Sequence, residues 1–186
     1  KRVVGEINLA CMKCDWCARG LARHCPRRTV LGIVKHPGAF AEYLTLPEVN
    51  LREVPRNVPD AHAVFTEPVA AACEILDQVR IAKDERVAVL GDGKLGLLIA
   101  QVLALSGCDV HLFGRHQNKL DIAAPLVSRA SARLPRASDK YRYTVDATGS
   151  ADALAQAVSM TLPRGTLVMK STVHGAVALD AAPVIV

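Results

Sequence analysis

Short apolar runs alternate with turn-forming residues over the first third of the chain. The runs are RVVGEI, TVLGIV and GAFAEYLTL, and Gly and Pro residues separate them. Runs of this length that are rich in valine and bounded by turn formers are typical of β-strands. The pattern therefore predicts a β-rich domain over residues 1–66.

The pattern changes at Thr66. Thr66 is suited to cap the N-terminus of a helix, and Pro68 is suited to its first turn. The following segment, VAAACEILDQV, carries apolar residues at helical spacing. We therefore predict a helix that begins after Thr66 and opens a second domain over residues 67–186.

Strand-like and helix-like segments alternate after this helix. In chain order they are RVAVLG, KLGLLIAQVLALSG, DVHLFG, QNKLDIAA, YTVDATG, ADALAQAVSM and GTLVMKS. Alternation of this kind predicts an α/β domain in which a doubly wound parallel sheet carries helices on both faces.

Composition narrows the class of protein. The chain has 186 residues, of which 51% are apolar, and this is ample for a buried core. No apolar run approaches the roughly 18 residues of a membrane helix, and no signal-peptide pattern opens the chain, so we expect a cytoplasmic protein without a membrane partner. The net charge is +5, but only 4% of residues are aromatic, which argues against nucleic acid as a partner.

Both ends of the sequence lie within apolar segments. The chain begins KRVVGEI, without methionine and inside a predicted strand, and it stops at APVIV. We therefore expect the sequence to be a piece of a longer protein.

Four of the six cysteines lie close together in the β-rich domain. Cys11, Cys14, Cys17 and Cys25 have the spacing Cys-x2-Cys-x2-Cys-x7-Cys. Four thiolates can surround one tetrahedral zinc ion, and a site in which protein fills every position is structural. Two disulfides or an iron–sulfur cluster are the alternatives. The cluster is considered because ferredoxins also have a proline directly after the last cysteine of their motif, as Pro26 follows Cys25 here.

A glycine-rich loop follows the first strand of the α/β domain. Gly91, Gly93 and Gly96 form Gly-x-Gly-x-x-Gly between a predicted strand and a predicted helix. This context predicts a dinucleotide site in which the helix N-terminus, with Lys94 and Leu95, receives the pyrophosphate. The alternative is a glycine turn that binds no ligand.

The end of the second strand selects between NAD and NADP. An acidic residue there would bind the ribose 2′-hydroxyl of NAD, but this chain has Gly114, followed by Arg115 and His116. A guanidinium without a neighbouring acid favours the 2′-phosphate of NADP, unless Arg115 is only a solvated loop cation. Thr148, at the end of a later strand, is expected either near the nicotinamide or in a plain turn.

In this order, the motifs resemble the zinc-dependent medium-chain dehydrogenase/reductase family, which includes alcohol, polyol and glucose dehydrogenases. The segments that carry the resemblance are RVVGEI, the four-cysteine lobe, GAFAEYLTLP, FTEPVAAACEIL, GDGKLG and VDATGS. The resemblance implies a GroES-like catalytic domain with a structural zinc and a Rossmann domain. It also implies hydride transfer between an alcohol or sugar hydroxyl and the nicotinamide, with a second, catalytic zinc as the Lewis acid.

Two parts of the family pattern have no counterpart in the chain. The resemblance implies that the cysteine and histidine ligands of the catalytic zinc would precede Lys1, and that the last sheet strand would follow Val186. Glu67 is the one remaining candidate near that zinc, although it is also suited to the first turn of a helix. Family members act on small alcohol or carbonyl substrates and are often homo-oligomers. A non-catalytic NADP-binding scaffold and an iron–sulfur electron carrier are the alternatives.

Overall fold

The protein divides into two compact units, Lys1–Glu67 and Pro68–Val186. The structure is a computed structural model that describes residues 1–136, 138–171, 178 and 182. Short elements make up the first unit. They are β1 (Val3–Gly5), β2 (Asn8–Leu9), α1 (Asp15–Ala18), β3 (Thr29–Val30), β4 (Leu51–Glu53) and α2 (Asp60–Ala63).

Two small antiparallel ladders and a buried asparagine organise the first unit. Strand β1 pairs with β4, and β2 pairs with β3. The Asn50 side chain donates hydrogen bonds to the carbonyl oxygens of Glu6, at 2.9 Å, and Asn8, at 2.8 Å. The strands predicted within RVVGEI and TVLGIV are confirmed, and Asn50 joins the chain between them to the 3-10 turn that precedes β4.

The strand predicted within GAFAEYLTL is wrong. Residues 38–46, all of them described, form no strand, and the aromatic side chains of Phe40 and Tyr43 are 112% and 90% exposed. A strand needs a neighbour for its backbone hydrogen bonds and a core for its apolar face. Residues 38–46 belong to none of the ladders formed by the described residues.

The expected cap at Thr66 is also wrong. The third helix, α3 (Thr66–Gln78), begins at Thr66 itself. The Thr66 hydroxyl donates to the carbonyl oxygen of Ala63 at 2.7 Å and so does not accept a helical amide. Only two turn residues separate α2 from α3, and the hydroxyl therefore satisfies the carbonyl that ends α2.

A five-stranded parallel sheet forms the centre of the second unit, in the order β7-β6-β5-β8-β9. Its elements are β5 (Arg86–Leu90), α4 (Lys94–Leu105), β6 (Asp109–Phe113), α5 (Gln117–Ala123), β7 (Arg129–Ser131), β8 (Tyr141–Asp146), α6 (Ala151–Met160) and β9 (Thr161–Met169). The predicted alternation of strands and helices is confirmed. Strand β7 was not predicted, because a segment of three residues with the sequence RAS is too short and too polar to be recognised as a strand.

Helices cover both faces of this sheet. Helices α3, α4 and α5 pack on one face, where Val87, Val89 and Leu112 are fully buried. Helix α6 packs on the other face, against Ala88 and Leu90. Neighbouring residues of β5 therefore reach opposite cores, which explains its continuous apolar sequence and confirms the doubly wound Rossmann-type fold. None of the helices among the described residues combines the length and apolarity needed to span a membrane.

Candidate functional site

The four clustered cysteines come together in the first unit. Their sulfur atoms all lie within 4.8 Å of one another, and Cys25 is fully buried. Cys14 precedes the first residue of α1 and Cys17 lies within it, while the 3-10 turn Ala22–His24 returns the chain to Cys25. The Sγ of Cys14 is 3.5 Å from that of Cys17 and 3.7 Å from that of Cys25.

These distances fit a single zinc ion. Four Zn–S bonds of about 2.3 Å in a tetrahedron put the sulfur atoms about 3.8 Å apart. All six cysteines of the chain are free thiols, so the structure contains no disulfide among them. An iron–sulfur cluster would have to fit several iron atoms between sulfurs that stand farther apart. Four protein ligands would leave zinc no open position, and the site is therefore suited to a structural role.

The surroundings of the cluster lower the pKa of two of its cysteines and raise the pKa of a third. A hydrogen bond from the Lys13 amide lowers the pKa of Cys11 to about 6, and the Cys17 amide lowers the pKa of Cys14. Burial raises the pKa of Cys17 to about 11. The negative charge of Cys11 and a hydrogen bond to it raise the pKa of the Arg27 guanidinium. Arg27 is therefore placed to offset the charge that four thiolates leave on a bound zinc.

A cleft of about 570 Å³ opens in the second unit where β5, β6 and β8 end. Ligands of open α/β sheets bind at the carboxyl ends of the strands. The wall of the cleft contains predicted site residues and several others. It is lined by Leu90, Gly91, Asp92, Gly93, Phe113, Gly114, Arg115, His116, Lys119, Ala132, Leu134, Ala147, Thr148, Ser150, Asp152, Ala153 and Gln156.

The three glycines of the loop have distinct surroundings. A Cβ on Gly91, whose φ is +118°, would lie 2.6 Å from the carbonyl oxygen of Ala147. A Cβ on Gly96 would lie 2.1 Å from the carbonyl oxygen of Gly91. A Cβ on Gly93 would meet nothing within 4 Å, and Gly93 directly precedes the first residue of α4. The loop thus packs tightly at its ends and leaves room for a phosphate group over Gly93, as a dinucleotide requires.

The two residues after Gly93 do not line the cleft. Lys94 is exposed at the first position of α4, and Leu95 packs against the apolar core beside the sheet. The side chain of Leu95 therefore packs in the core, and only the backbone amide of this residue is available to an anion at the helix N-terminus.

A buried carboxylate holds the turn at the end of β6. The Oδ2 atom of Asp92 accepts hydrogen bonds from the amides of Arg115 and His116, both at 2.6 Å, and lies 3.0 Å from Nδ1 of His116. Burial would raise the pKa of Asp92, but these bonds outweigh it and hold the pKa below its usual value. Asp92 is therefore ionised and fixes the turn that begins at Gly114.

Sequence reasoning missed Asp92 and Lys119 as residues of the cleft. Asp92 occupies a variable position of the glycine motif, and its partners lie more than twenty residues away. Lys119 follows Arg115 by four residues in the sequence RHQNK, and this second cation close to Arg115 was the available signal.

Thr148 lines the cleft, but its hydroxyl group is already engaged. It donates to Oδ1 of the buried Asp146 at 2.8 Å and lies 3.1 Å from the Ser150 amide, which donates to it. These contacts shape the turn between β8 and α6. Contact between Thr148 and a cofactor would therefore involve its methyl group or backbone.

Glu67 is exposed in the first turn of α3. Among the residues that the structure describes, the four cysteines form the one group of three or more side chains that could hold a metal ion, and Glu67 is not part of it. A carboxylate in the first turn complements the helix dipole. The described residues thus give Glu67 a helix-stabilising position and no metal partner.

Family comparisons match both halves of the chain. Residues 1–56 match the alcohol dehydrogenase GroES-like domain. Residues 86–178, half of the chain, match the NAD-binding domain of 3-hydroxyacyl-CoA dehydrogenase. The second half is therefore an NAD-binding domain, in agreement with the Rossmann-type sheet and its glycine loop.

Known relatives are dehydrogenases. A sorbitol dehydrogenase of Halalkalibacterium halodurans is 35% identical over 114 residues, which are 61% of this chain and 33% of that protein. A short chain alcohol dehydrogenase from Escherichia coli, solved with NADH, is 25% identical with a TM-score of 0.87, and the match covers 99% of this chain and 58% of that one.

A zinc-binding dehydrogenase of Sinorhizobium meliloti, solved with NADP, shares the fold at 23% identity and a TM-score of 0.85. That match covers 98% of this chain and 58% of the other. The chain thus spans about a third of the curated relative's length. It combines a GroES-like domain of the alcohol dehydrogenase type with an NAD-binding domain, and its relatives are sorbitol, threonine and polyol dehydrogenases of the zinc-dependent medium-chain dehydrogenase/reductase family.

Proposed function

We propose that the chain is the cofactor-binding part of a zinc-containing alcohol or polyol dehydrogenase that transfers hydride between a substrate hydroxyl and the nicotinamide of NADP. The cleft carries this proposal, because it joins the glycine loop to the cationic turn of Arg115 at the carboxyl edge of the sheet. The sorbitol dehydrogenase relative supports a small polyol or alcohol as the substrate. The division between Glu67 and Pro68 supports domains over residues 1–66 and 67–186.

Each part of the chain has a separate task in this proposal. The amides at the start of α4 and the open space over Gly93 receive the pyrophosphate. Arg115 and Lys119 attract the 2′-phosphate of the adenosine ribose. Zinc at Cys11, Cys14, Cys17 and Cys25 would hold the lobe folded, since the described part of the first unit buries few apolar side chains.

The described residues outside the four-cysteine group do not form a zinc site, and a catalytic zinc, if bound, would supply a Lewis acid for the substrate oxygen. Glu67 is the candidate that the family resemblance assigns near that ion. A non-catalytic NADP-binding protein is the second candidate, and the observation on its side is that the four-cysteine group is the one possible metal group among the described residues.

Calorimetric titration of the zinc-loaded chain with NADPH and NADH tests the proposal. We expect NADPH to bind more tightly, and Arg115→Ala to weaken NADPH about tenfold while NADH changes little, because a charge-assisted bond to phosphate is lost. Arg56→Ala, which removes the same charge from an exposed position of the first unit, is the control. Equal affinities for both dinucleotides, or no binding of either, would contradict the proposal.

An activity screen with sorbitol and other polyols separates the two candidates. Turnover with added zinc supports the dehydrogenase. Tight NADPH binding without turnover, both in this chain and in any longer form of it, would favour the non-catalytic protein.

A further inference from the structure

The carboxylate of Asp92 occupies the space in which a side chain at position 114 would lie. A Cβ added to Gly114 would be 2.4 Å from Cβ of Asp92 and 2.6 Å from its Oδ2. Both distances are far shorter than a carbon atom tolerates. Residue 114 must therefore be glycine as long as residue 92 is aspartate.

The register of the sheet brings these two positions together. Leu90, the last residue of β5, pairs with Phe113, the last residue of β6. The loops that follow two parallel neighbours begin side by side, so the second residue after β5 can reach the first residue after β6. Asp92 is 8% exposed and still forms part of the cleft wall.

In dinucleotide-binding sheets, an acid at the end of the second strand accepts a hydrogen bond from the ribose 2′-hydroxyl of NAD. We propose that Asp92 supplies this carboxylate from the glycine loop, so that it recognises the unphosphorylated adenosine ribose and limits the preference of the cleft for NADP. This inference rests on the proposed function, because it assumes that a dinucleotide binds in the cleft.

The hydrogen bonds of Asp92 leave one oxygen for this task. Oδ2 takes all three contacts with the turn, from the amides of Arg115 and His116 and from the His116 ring. Oδ1 takes none of these three and can accept a ribose hydroxyl. A carboxylate that is largely withdrawn from water forms stronger hydrogen bonds than an exposed one.

A 2′-phosphate would meet opposing charges at the same place. The negative carboxylate repels it, whereas Arg115 and Lys119 on the cleft wall attract it. The cleft thus contains a group suited to each cofactor, and the ratio of the two affinities depends on the balance between them.

Binding titrations with Asp92→Asn test the inference without any activity assay. Asparagine keeps the shape and an acceptor for the turn amides, but its neutral amide neither attracts the ribose hydroxyl as strongly nor repels phosphate. We expect the ratio of NADPH affinity to NADH affinity to rise about tenfold, mainly through weaker NADH binding. Asp121→Asn, an exposed change of the same kind on α5, should leave the ratio unchanged.

Moving the carboxylate provides a second test. Asp92→Gly removes the Cβ that blocks position 114, and Gly114 is not among the residues with positive φ, so Gly114→Asp can be added in the same chain. We expect Asp92→Gly alone to weaken NADH selectively. The double variant should restore the affinity ratio to within about threefold of the unmutated chain, because the acid has returned to the strand end.

The outcomes separate this inference from the proposed function. If the unmutated chain binds neither dinucleotide, the proposed function fails. If both bind and Asp92→Asn leaves their ratio unchanged, or weakens both equally, Asp92 only holds the turn and the inference is wrong. A double variant that binds NADH no better than Asp92→Gly would also overturn it.

Discussion

Replacement of Gly96 by alanine tests how tightly the glycine loop packs on α4. The added Cβ would lie 2.1 Å from the carbonyl oxygen of Gly91 and 2.9 Å from its carbonyl carbon. Both atoms belong to the backbone, so no side chain can rotate away. The start of α4 would have to move away from the loop by about 1 Å to accommodate the methyl group.

Two effects of opposite sign determine the change in stability. Alanine within a helix is favoured over glycine by about 1 kcal/mol. Overpacking against a rigid neighbour costs up to about 3 kcal/mol. We therefore expect Gly96→Ala to lower the free energy of unfolding by about 2 kcal/mol, as measured by urea unfolding followed by far-ultraviolet circular dichroism.

Gly93→Ala is the matched control, because its Cβ would meet nothing within 4 Å and its φ is −76°. Alanine before a helix is a poorer cap than glycine, which costs less than about 1 kcal/mol. NADPH binding should nevertheless weaken at least tenfold, since the methyl group occupies the phosphate space. If Gly96→Ala unfolds at the same urea concentration as the unmutated chain, the packing argument is wrong. Unchanged NADPH binding by Gly93→Ala would exclude a phosphate over that residue.

Three further predictions concern stability. Thr144→Val should raise the free energy of unfolding by about 1 kcal/mol in urea titrations, because the buried Thr144 hydroxyl has no hydrogen-bond partner among the described residues. Zinc removal by a chelator should shift the fluorescence of Trp16, the single tryptophan of the chain, because Trp16 lies in the cysteine lobe. The circular dichroism signal should fall only slightly, because most of the helices among the described residues lie in the second unit. Burial would raise the pKa of Asp109, but bonds from Ser128 and Arg86 lower it overall. Stability should therefore be full above the unfolded pKa near 4 and fall with pH below it, and Asp109→Asn should flatten this dependence in acid titrations.

The sequence predicted the second unit well because its pattern is local. In β5, β6 and α4, apolar residues recur at the spacing of buried strands and helices, and no distant partner is needed to recognise them. The first unit was predicted less well. The segment around Phe40 has the composition of a strand, but a strand also requires a neighbouring strand, and composition does not reveal whether one is present.

The same distinction applies to the candidate sites. The cysteine cluster and the glycine loop were visible because their members lie within fifteen residues of one another. The contacts of Asp92 with Arg115 and His116 were not visible, because they depend on the register that places Leu90 beside Phe113. A motif reports which groups are close along the chain, whereas a parallel sheet brings together loops that are far apart in sequence.

The contact between loops that are distant in sequence affects how a preference for NAD or NADP is inferred from the glycine motif and the strand end. The expectation of NADP used the absence of an acid at position 114, where other dinucleotide-binding chains carry one. In the folded protein, an ionised carboxylate stands within 2.6 Å of where that side chain would begin, and it is contributed by Asp92. Glycine at the strand end therefore has two physical explanations, space for a phosphate or space for an acid from the neighbouring loop. On the role proposed for Asp92, the charge of the residue between the first two glycines of the motif would distinguish them, and the titrations of Asp92→Asn test whether it does.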